Sequence, residues 1–177
     1  MAGRTGKPVT RVRAFWDASA LVPLCVRQGM TPRAIALYKT HDAVVWWATP
    51  VEVASALARL MRMKQLDTRD WAKASKLVQS LADSWSVIQP SDALRSTSIQ
   101  LVDRYDLRAA DSFQLAAALE WCEYAPQGRV FLTADQKLRD AALLSGFDAK
   151  QMIPKQALPV PLVSSSYRVA PGSPGGS

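Results

Sequence analysis

Four acidic residues, Asp17, Glu52, Asp111 and Asp135, each stand where a local pattern predicts the start of a helix, and three of them come just after a strand-like apolar run. Parallel strands end on one edge of their sheet, so side chains from such junctions can converge there. Carboxylates gathered this way are hard oxygen ligands suited to Mg²⁺, which binds few protein oxygens and keeps several waters. Paired hard cations can neutralise phosphate oxygens, generate hydroxide and steady a departing oxygen, which is what hydrolysis of a phosphodiester at neutral pH requires. Each acid taken alone also has a structural reading. Asp17 before Ser19 reads as a turn or N-cap residue, Thr49-Pro50-Val51-Glu52 has the form of a capping box, and Asp111 and Asp135 suit a first helical turn, where the helix dipole favours negative charge. The metal reading draws on the four as a set.

Competing chemistries find little support. Ribonucleases that work on the 2′-OH without metal use two histidines as acid and base. This chain has one, His41, placed next to Asp42 just before a predicted strand and read as a loop residue. Gly3-Arg4-Thr5-Gly6-Lys7 is too short for a phosphate-cradling P-loop. Asp17-Ala-Ser19-Ala-Leu21 has only part of a D-x-S-x-S metal motif, because Leu21 replaces the second serine.

The elements that would position these acids alternate between strand and helix. Val12 to Trp16 predicts a strand that turns into a helix after Asp17. Thr31-Pro32 opens a helix to about Lys39, and Ala43 to Ala48 is an apolar run suited to a strand buried on both faces. A long helix begins at Thr49 to Glu52, with Val53, Leu57, Leu60 and Met61 on one stripe. Asp67 or Thr68 caps the next, to about Ala82, with Trp71 and Leu77 inward. Trp85 to Gln89 predicts a short strand stopped by Pro90. Ser91 opens a helix through Tyr105, and Ala110-Asp111 opens an apolar one through about Cys122. Arg129 to Thr133 predicts a strand, and the helix after Asp135 closes at a left-handed Gly146. Met152-Ile153 adds an edge strand. Strands spaced by helices imply a three-layer α/β domain with a mainly parallel sheet of four or five strands.

The chain has 177 residues, 49% of them apolar, enough for one domain with its own core. Cys25 and Cys122 lie far apart without a CxxC pairing, which reads as two buried thiols in a reducing compartment. The apolar stretch after the first bases is broken by Asp17, and no run reaches the length of a membrane span, so a soluble, cytoplasmic protein is expected. A net charge of +7 favours a polyanionic partner, and RNA or DNA is the obvious one. Arg59, Arg62, Lys64, Arg108, Lys137 and Arg139 lie near the acidic segments and could follow a phosphate backbone or simply line solvated helix faces. Trp16, Trp46 and Trp47 fall in strand runs and read as packing residues. Residues 1–11 form a basic arm, 12–154 the folded domain, and 155–177 a Pro/Ser/Gly-rich tail with little capacity to fold alone.

From Val12 to Ile153 the chain resembles the PIN-domain family of metal-dependent nucleases, and most closely the VapC-like toxins of bacterial toxin-antitoxin pairs. The resemblance is carried by Phe-Trp-Asp17-Ala-Ser-Ala-Leu-Val, Thr-Pro-Val-Glu52-Val-Ala-Ser-Ala-Leu, Arg-Ala-Ala-Asp111-Ser-Phe-Gln-Leu-Ala-Ala-Ala and Phe-Leu-Thr-Ala-Asp135-Gln-Lys-Leu, in the family's order. It implies a three-layer PIN-like fold with an acidic pocket at the strand ends, and Mg²⁺- or Mn²⁺-dependent cleavage of RNA. Asp17 and Asp111 would be the principal metal ligands, Glu52 and Asp135 would complete the set, and Ser19 and Thr133 would be supporting hydroxyls. It further implies a homodimer and a cognate antitoxin. Two other readings stay open: a PIN-fold RNA-processing nuclease without an antitoxin, and a non-catalytic RNA- or protein-binding module, which is favoured if the four acids fail to converge.

Overall fold

The structure, a computed structural model, describes residues 11–27 and 31–151. Residues 1–10 of the basic arm, the tail, and the edge strand expected at Met152-Ile153 lie outside the described residues. Among the described residues five strands, β1 (Val12–Trp16), β2 (His41–Trp46), β3 (Ser86–Ile88), β4 (Val130–Thr133) and β5 (Asp148–Gln151), form one sheet in the order β3-β2-β1-β4-β5. Every pairing is parallel, with Ala14 opposite Ala43 and Trp16 opposite Leu132. The expected three-layer α/β architecture is therefore present, with the sheet parallel throughout the described residues.

Among the described residues seven helices connect the strands: α1 (Ala18–Cys25), α2 (Thr31–Thr40), α3 (Thr49–Arg62), α4 (Thr68–Ala82), α5 (Asp92–Tyr105), α6 (Ala109–Trp121) and α7 (Gln136–Leu144). The period-two alternation of the strands divides the core between the two faces of the sheet. Ala14, Trp16, Val45, Val130 and Leu132 point to one side, where they pack with Leu21, Val53, Leu57, Ala74 and Val78 from α1, α3 and α4. Phe15, Val44, Trp46 and Phe131 point to the other and meet Leu94, Leu115, Leu138 and Ala142 from α5, α6 and α7. Phe15 and Phe131 stack across β1 and β4 with ring centroids 5.3 Å apart. Ala14-Phe15-Trp16 and Val130-Phe131-Leu132 are buried on both faces of the sheet, which accounts for the continuous apolar stretch in each strand.

Local chemistry sets the helix starts. Asp67 and Ser91 accept hydrogen bonds from the backbone N–H groups of Asp70 and Leu94, the N-cap roles their residue types favour. The expected capping box at Thr49 is not formed. The N-cap of α3 is Ala48 without a side-chain cap bond, Pro50 opens the first turn, and Thr49 lies buried inside the helix. That frees Glu52 for other partners.

Several expected details shift. β2 starts at His41 and ends at Trp46, which leaves Trp47 in the turn and 54% exposed, so Trp47 is no core residue. His41 is thus a strand residue, its Nδ1 beside the Leu37 carbonyl and the Thr40 hydroxyl at the N-terminal edge of the sheet. Trp71 and Leu77 stand 38% and 41% exposed, because the outer helix α4 buries only the narrow stripe of Ala74 and Val78. Cys25 is half-buried and Cys122 buried, and both are free. Burial pushes the Cys25 thiol up to about 11, so it is not a reactive thiolate. No helix among the described residues is long and apolar enough to cross a membrane.

Gly146 follows α7 with φ +102°, and a Cβ there would meet Pro126 Cγ at 3.2 Å. We expect Gly146→Ala to destabilise the protein by about 1–3 kcal/mol, read as a lower urea midpoint with unchanged slope.

Candidate active site

The strand order places a topological switch between β1 and β4: the chain moves outward from β1 through β2 to β3, then returns to the other side of β1. Neighbouring loops part at such a point and leave a crevice beyond the strand ends. A cleft of about 300 Å³ is lined by Asp17, Ser19, Glu52, Asp111 and Asp135 together with Arg59 and Arg62. The four acids predicted from sequence therefore line one cleft.

Asp17 follows β1 directly, and its N–H continues the ladder by donating to the Leu132 carbonyl at 3.0 Å. The side chain is almost fully buried, at 5% exposure, and three donors converge on Oδ2. These are the Ser19 hydroxyl, the Ser19 N–H at 3.2 Å and the Thr133 hydroxyl at 2.9 Å. The hydroxyl oxygens in turn accept from backbone: Ser19 Oγ from Ala134 N–H at 2.8 Å, and Thr133 Oγ1 from Asp135 N–H at 3.0 Å. Each hydroxyl thus spends its proton on Asp17 and its lone pair on the β4–α7 turn. Burial raises the Asp17 pKa, and the Ser19 and Thr133 hydrogen bonds oppose the rise.

Glu52 comes from the first turn of α3, half-buried, and its Oε2 accepts from Gln114 Nε2 at 2.8 Å. Burial raises its pKa, the Gln114 bond lowers it, and the charges of Asp17 and Asp111 raise it further. Asp111 sits in the first turn of α6, whose N-cap is Arg108 without a side-chain cap bond. Burial first, then the charges of Asp135 and Asp17, lift it from 3.8 to about 6, against the pull of Arg108 and Lys137. Asp135 is exposed and caps α7, Oδ1 accepting from Leu138 N–H at 2.8 Å. Its capping role is real, and it shares the cleft as well.

The bases sort by position. Arg59 and Arg62 line the cleft, and among the described residues neither is in an ion pair. Lys137 is paired with Asp106 and Arg139 with Asp140, and Lys64 takes a left-handed turn after α3, outside the cleft lining. The residue missed by sequence reasoning is Gln114, fully buried in α6. Its signal was an amide in an otherwise apolar run, three residues after Asp111 and so on the same helical face.

Carboxylates close enough to raise one another's pKa make a donor set suited to a hard divalent cation. Among the described residues no group of three or more His, Cys, Asp or Glu side chains is arranged to hold a metal ion. An ion retaining several waters needs only one or two direct carboxylates, and the set fits in that sense.

Solved structures share this architecture. PAE2754 from Pyrobaculum aerophilum superposes with a TM-score of 0.53 at 21% identity, covering 81% of this chain and 92% of its own. VapBC-1 from nontypeable Haemophilus influenzae gives 0.52 at 11% identity, over 80% of this chain and 98% of that one. A toxin-antitoxin complex from Klebsiella pneumoniae gives 0.51 at 16% identity, over 70% and 88%. The fold is a three-layer α/β, PIN-like one. No protein-family model matches the sequence, and no curated protein does. Within the PIN fold, the acidic cleft of this chain occupies the carboxyl ends of β1 and β4 and the first turns of α3 and α6.

The raised Asp111 pKa has a sign that can be checked on metal-free protein. Its folded value lies above its ordinary one, so the folded state holds the extra proton between 3.8 and about 6. This contribution to stability is present below that window and lost as pH rises through it. Asp111→Asn should flatten the fall in melting temperature across that range and raise the melting temperature at pH 7. A variant that melts below wild type at pH 7 contradicts the assignment.

Proposed function

We propose that this chain is a metal-dependent endoribonuclease and the toxin of a toxin-antitoxin pair. The observation that carries the reading is four carboxylates lining one cleft at the switch point of a parallel sheet, with two arginines beside them that make no ion pair among the described residues. Solved structures that share the fold include toxin-antitoxin complexes, which supports the pairing with an antitoxin.

Asp17 and Asp111 would hold a Mg²⁺ or Mn²⁺ ion, with Glu52 and Asp135 acting on its waters or on a second ion. When bound, such an ion supplies Lewis acidity to the scissile phosphate and lowers the pKa of a bound water. The chain's own contribution is to fix the geometry. Ser19 and Thr133 lock the Asp17 carboxylate, so it needs no reorganisation when charge develops nearby. Burial and neighbouring charge raise Asp111 to about 6, and a nearby cation would draw that proton off. Arg59 and Arg62 extend from α3 toward the cleft and would take the phosphates flanking the scissile bond. A net charge of +7 brings the polyanion in, while acids without a cation would repel it at the point of cleavage.

The partners of this reading are RNA, a small cognate antitoxin and a second copy of the chain. The segment Leu57 to Met63 offers little for an interface at its start, since Leu57 is buried, but Met63 is 57% exposed. Light scattering of the purified chain should return the mass of a dimer.

RNA cleavage should require Mg²⁺ or Mn²⁺, stop with EDTA and return on adding the metal. Asp17→Asn should fall to the no-enzyme background while keeping its fold by circular dichroism. Excess Mn²⁺ should raise the melting temperature of the wild type, because a ligand at a hundred times its Kd stabilises by about 2.7 kcal/mol, and not that of Asp17→Asn. A folded Asp17→Asn protein that cleaves RNA like the wild type removes the reading.

A further inference from the structure

We propose that Gln114 is a positioning residue that holds the Glu52 carboxylate in the cleft and thereby sets the affinity of the site for a divalent cation. The second half rests on the nuclease reading above, whereas the first stands on geometry alone.

Gln114 is 0% exposed, in a stretch of α6 where Leu115, Ala116, Ala117 and Ala118 are buried with it. A Leu or Met would fill that space without desolvating an amide. Its Nε2 instead reaches across to α3 and meets two acceptors, Glu52 Oε2 at 2.8 Å and Thr49 Oγ1 at 3.3 Å. Both N–H bonds of the amide are thereby used. Its Oε1 is buried with no partner. Turning the amide end for end would set oxygen against the Glu52 carboxylate and leave the donors without these acceptors, so the charge of Glu52 fixes the orientation. The amide leaves its own acceptor unmatched. What it provides is a charge-assisted hydrogen bond to Glu52.

Glu52 has need of such a holder. Its helix starts without a side-chain cap, so the reciprocal capping bond that Thr49 and Glu52 could have made is absent. The charges of Asp17 and Asp111 bear on it, and Gln114 supplies its one side-chain hydrogen bond among the described residues. Asp111 and Gln114 lie three residues apart on one helical face, so α6 delivers one acid of the cleft and fixes another. Gln114 thus does for Glu52 what Ser19 and Thr133 do for Asp17.

The test is Gln114→Met, which keeps the volume and removes the amide. Calorimetric titration of the metal-free protein with Mn²⁺ should show affinity weakened about tenfold or more, the range for partners that orient ligands. Glu52→Gln combined with Gln114→Met should bind Mn²⁺ as Glu52→Gln does alone, since Gln114 acts through Glu52. A crystal structure of metal-free Gln114→Met should show the Glu52 side chain displaced from its place beside α6. Glu52 unmoved in that structure, or wild-type Mn²⁺ affinity in the folded variant, overturns the proposal. Should the wild type itself bind no Mn²⁺, the metal reading falls, and the crystal structure decides the positioning role separately. If Met at 114 does not fold, Gln114→Asn, whose amide is one methylene too short to span the gap, takes its place with the same readouts.

Discussion

A carboxylate buried between two strands is the constraint on which the rest of this molecule turns. Removing an ionised carboxylate from water without compensation costs far more than a fold can spare, so such a group must be hydrogen-bonded or neutralised. Asp17 receives its compensation from Ser19 and Thr133, which are tied to the Ala134 and Asp135 N–H groups. Those two hydroxyls therefore join the end of β1, the start of α1 and the turn leading into α7. The join falls at the switch point, where the parallel sheet leaves its crevice, and the Trp16–Leu132 register brings the two strand ends level. A one-residue slip would exchange the faces of Trp16 and Asp17 and lose both the core and the site.

Compensation by hydrogen bonds is uneven across the cluster, and the unevenness is informative. Asp17 and Glu52 each have side-chain donors, Asp135 has the backbone of its own helix, and Asp111 has none among the described residues. Burial and neighbouring charge lift Asp111 to about 6 against the charges of Arg108 and Lys137, whereas in Asp17 and Glu52 hydrogen bonds oppose the rise. A site gathered this way holds unfavourable charge in the folded state, a cost in stability that protein folds carry where function requires it. The positive charge of the chain offsets this in part: Arg108 and Lys137 pull the Asp111 pKa down, and Arg59 and Arg62 line the cleft without an ion pair among the described residues.

Much of this was legible in the sequence because two simple rules agree along most of the chain. Short strand-like runs at 12–16 and 129–133 mark strands, and Asp or Ser before an apolar-periodic stretch marks helix starts at Asp17, Asp67, Ser91 and Asp135. The misreadings occur where one local pattern admits two outcomes. Thr49 to Glu52 has the form of a capping box, but the helix begins one residue earlier than that box requires, and Gln114, 62 positions away, captures the glutamate. Trp46 and Trp47 form one apolar run, and only the register with β3 decides that the strand ends between them. Trp71 and Leu77 have helical spacing from a buried stripe, yet an outer helix exposes most of its circumference.

Gln114 illustrates the deeper limit. Its neighbours give no polar periodicity, and an isolated amide in an apolar helix has no single meaning in one dimension. Its significance comes from the distance to Glu52, a contact set by the packing of α6 near α3 beneath the cleft. Residues that bear charge announce themselves, because a buried acid is rare and its helix-start position is a local signature. Residues that orient those charges act across elements, and their identity follows from tertiary geometry. The acids were for that reason the readable part of the site. The amide that holds one of them became visible only when the sheet had brought its helices together.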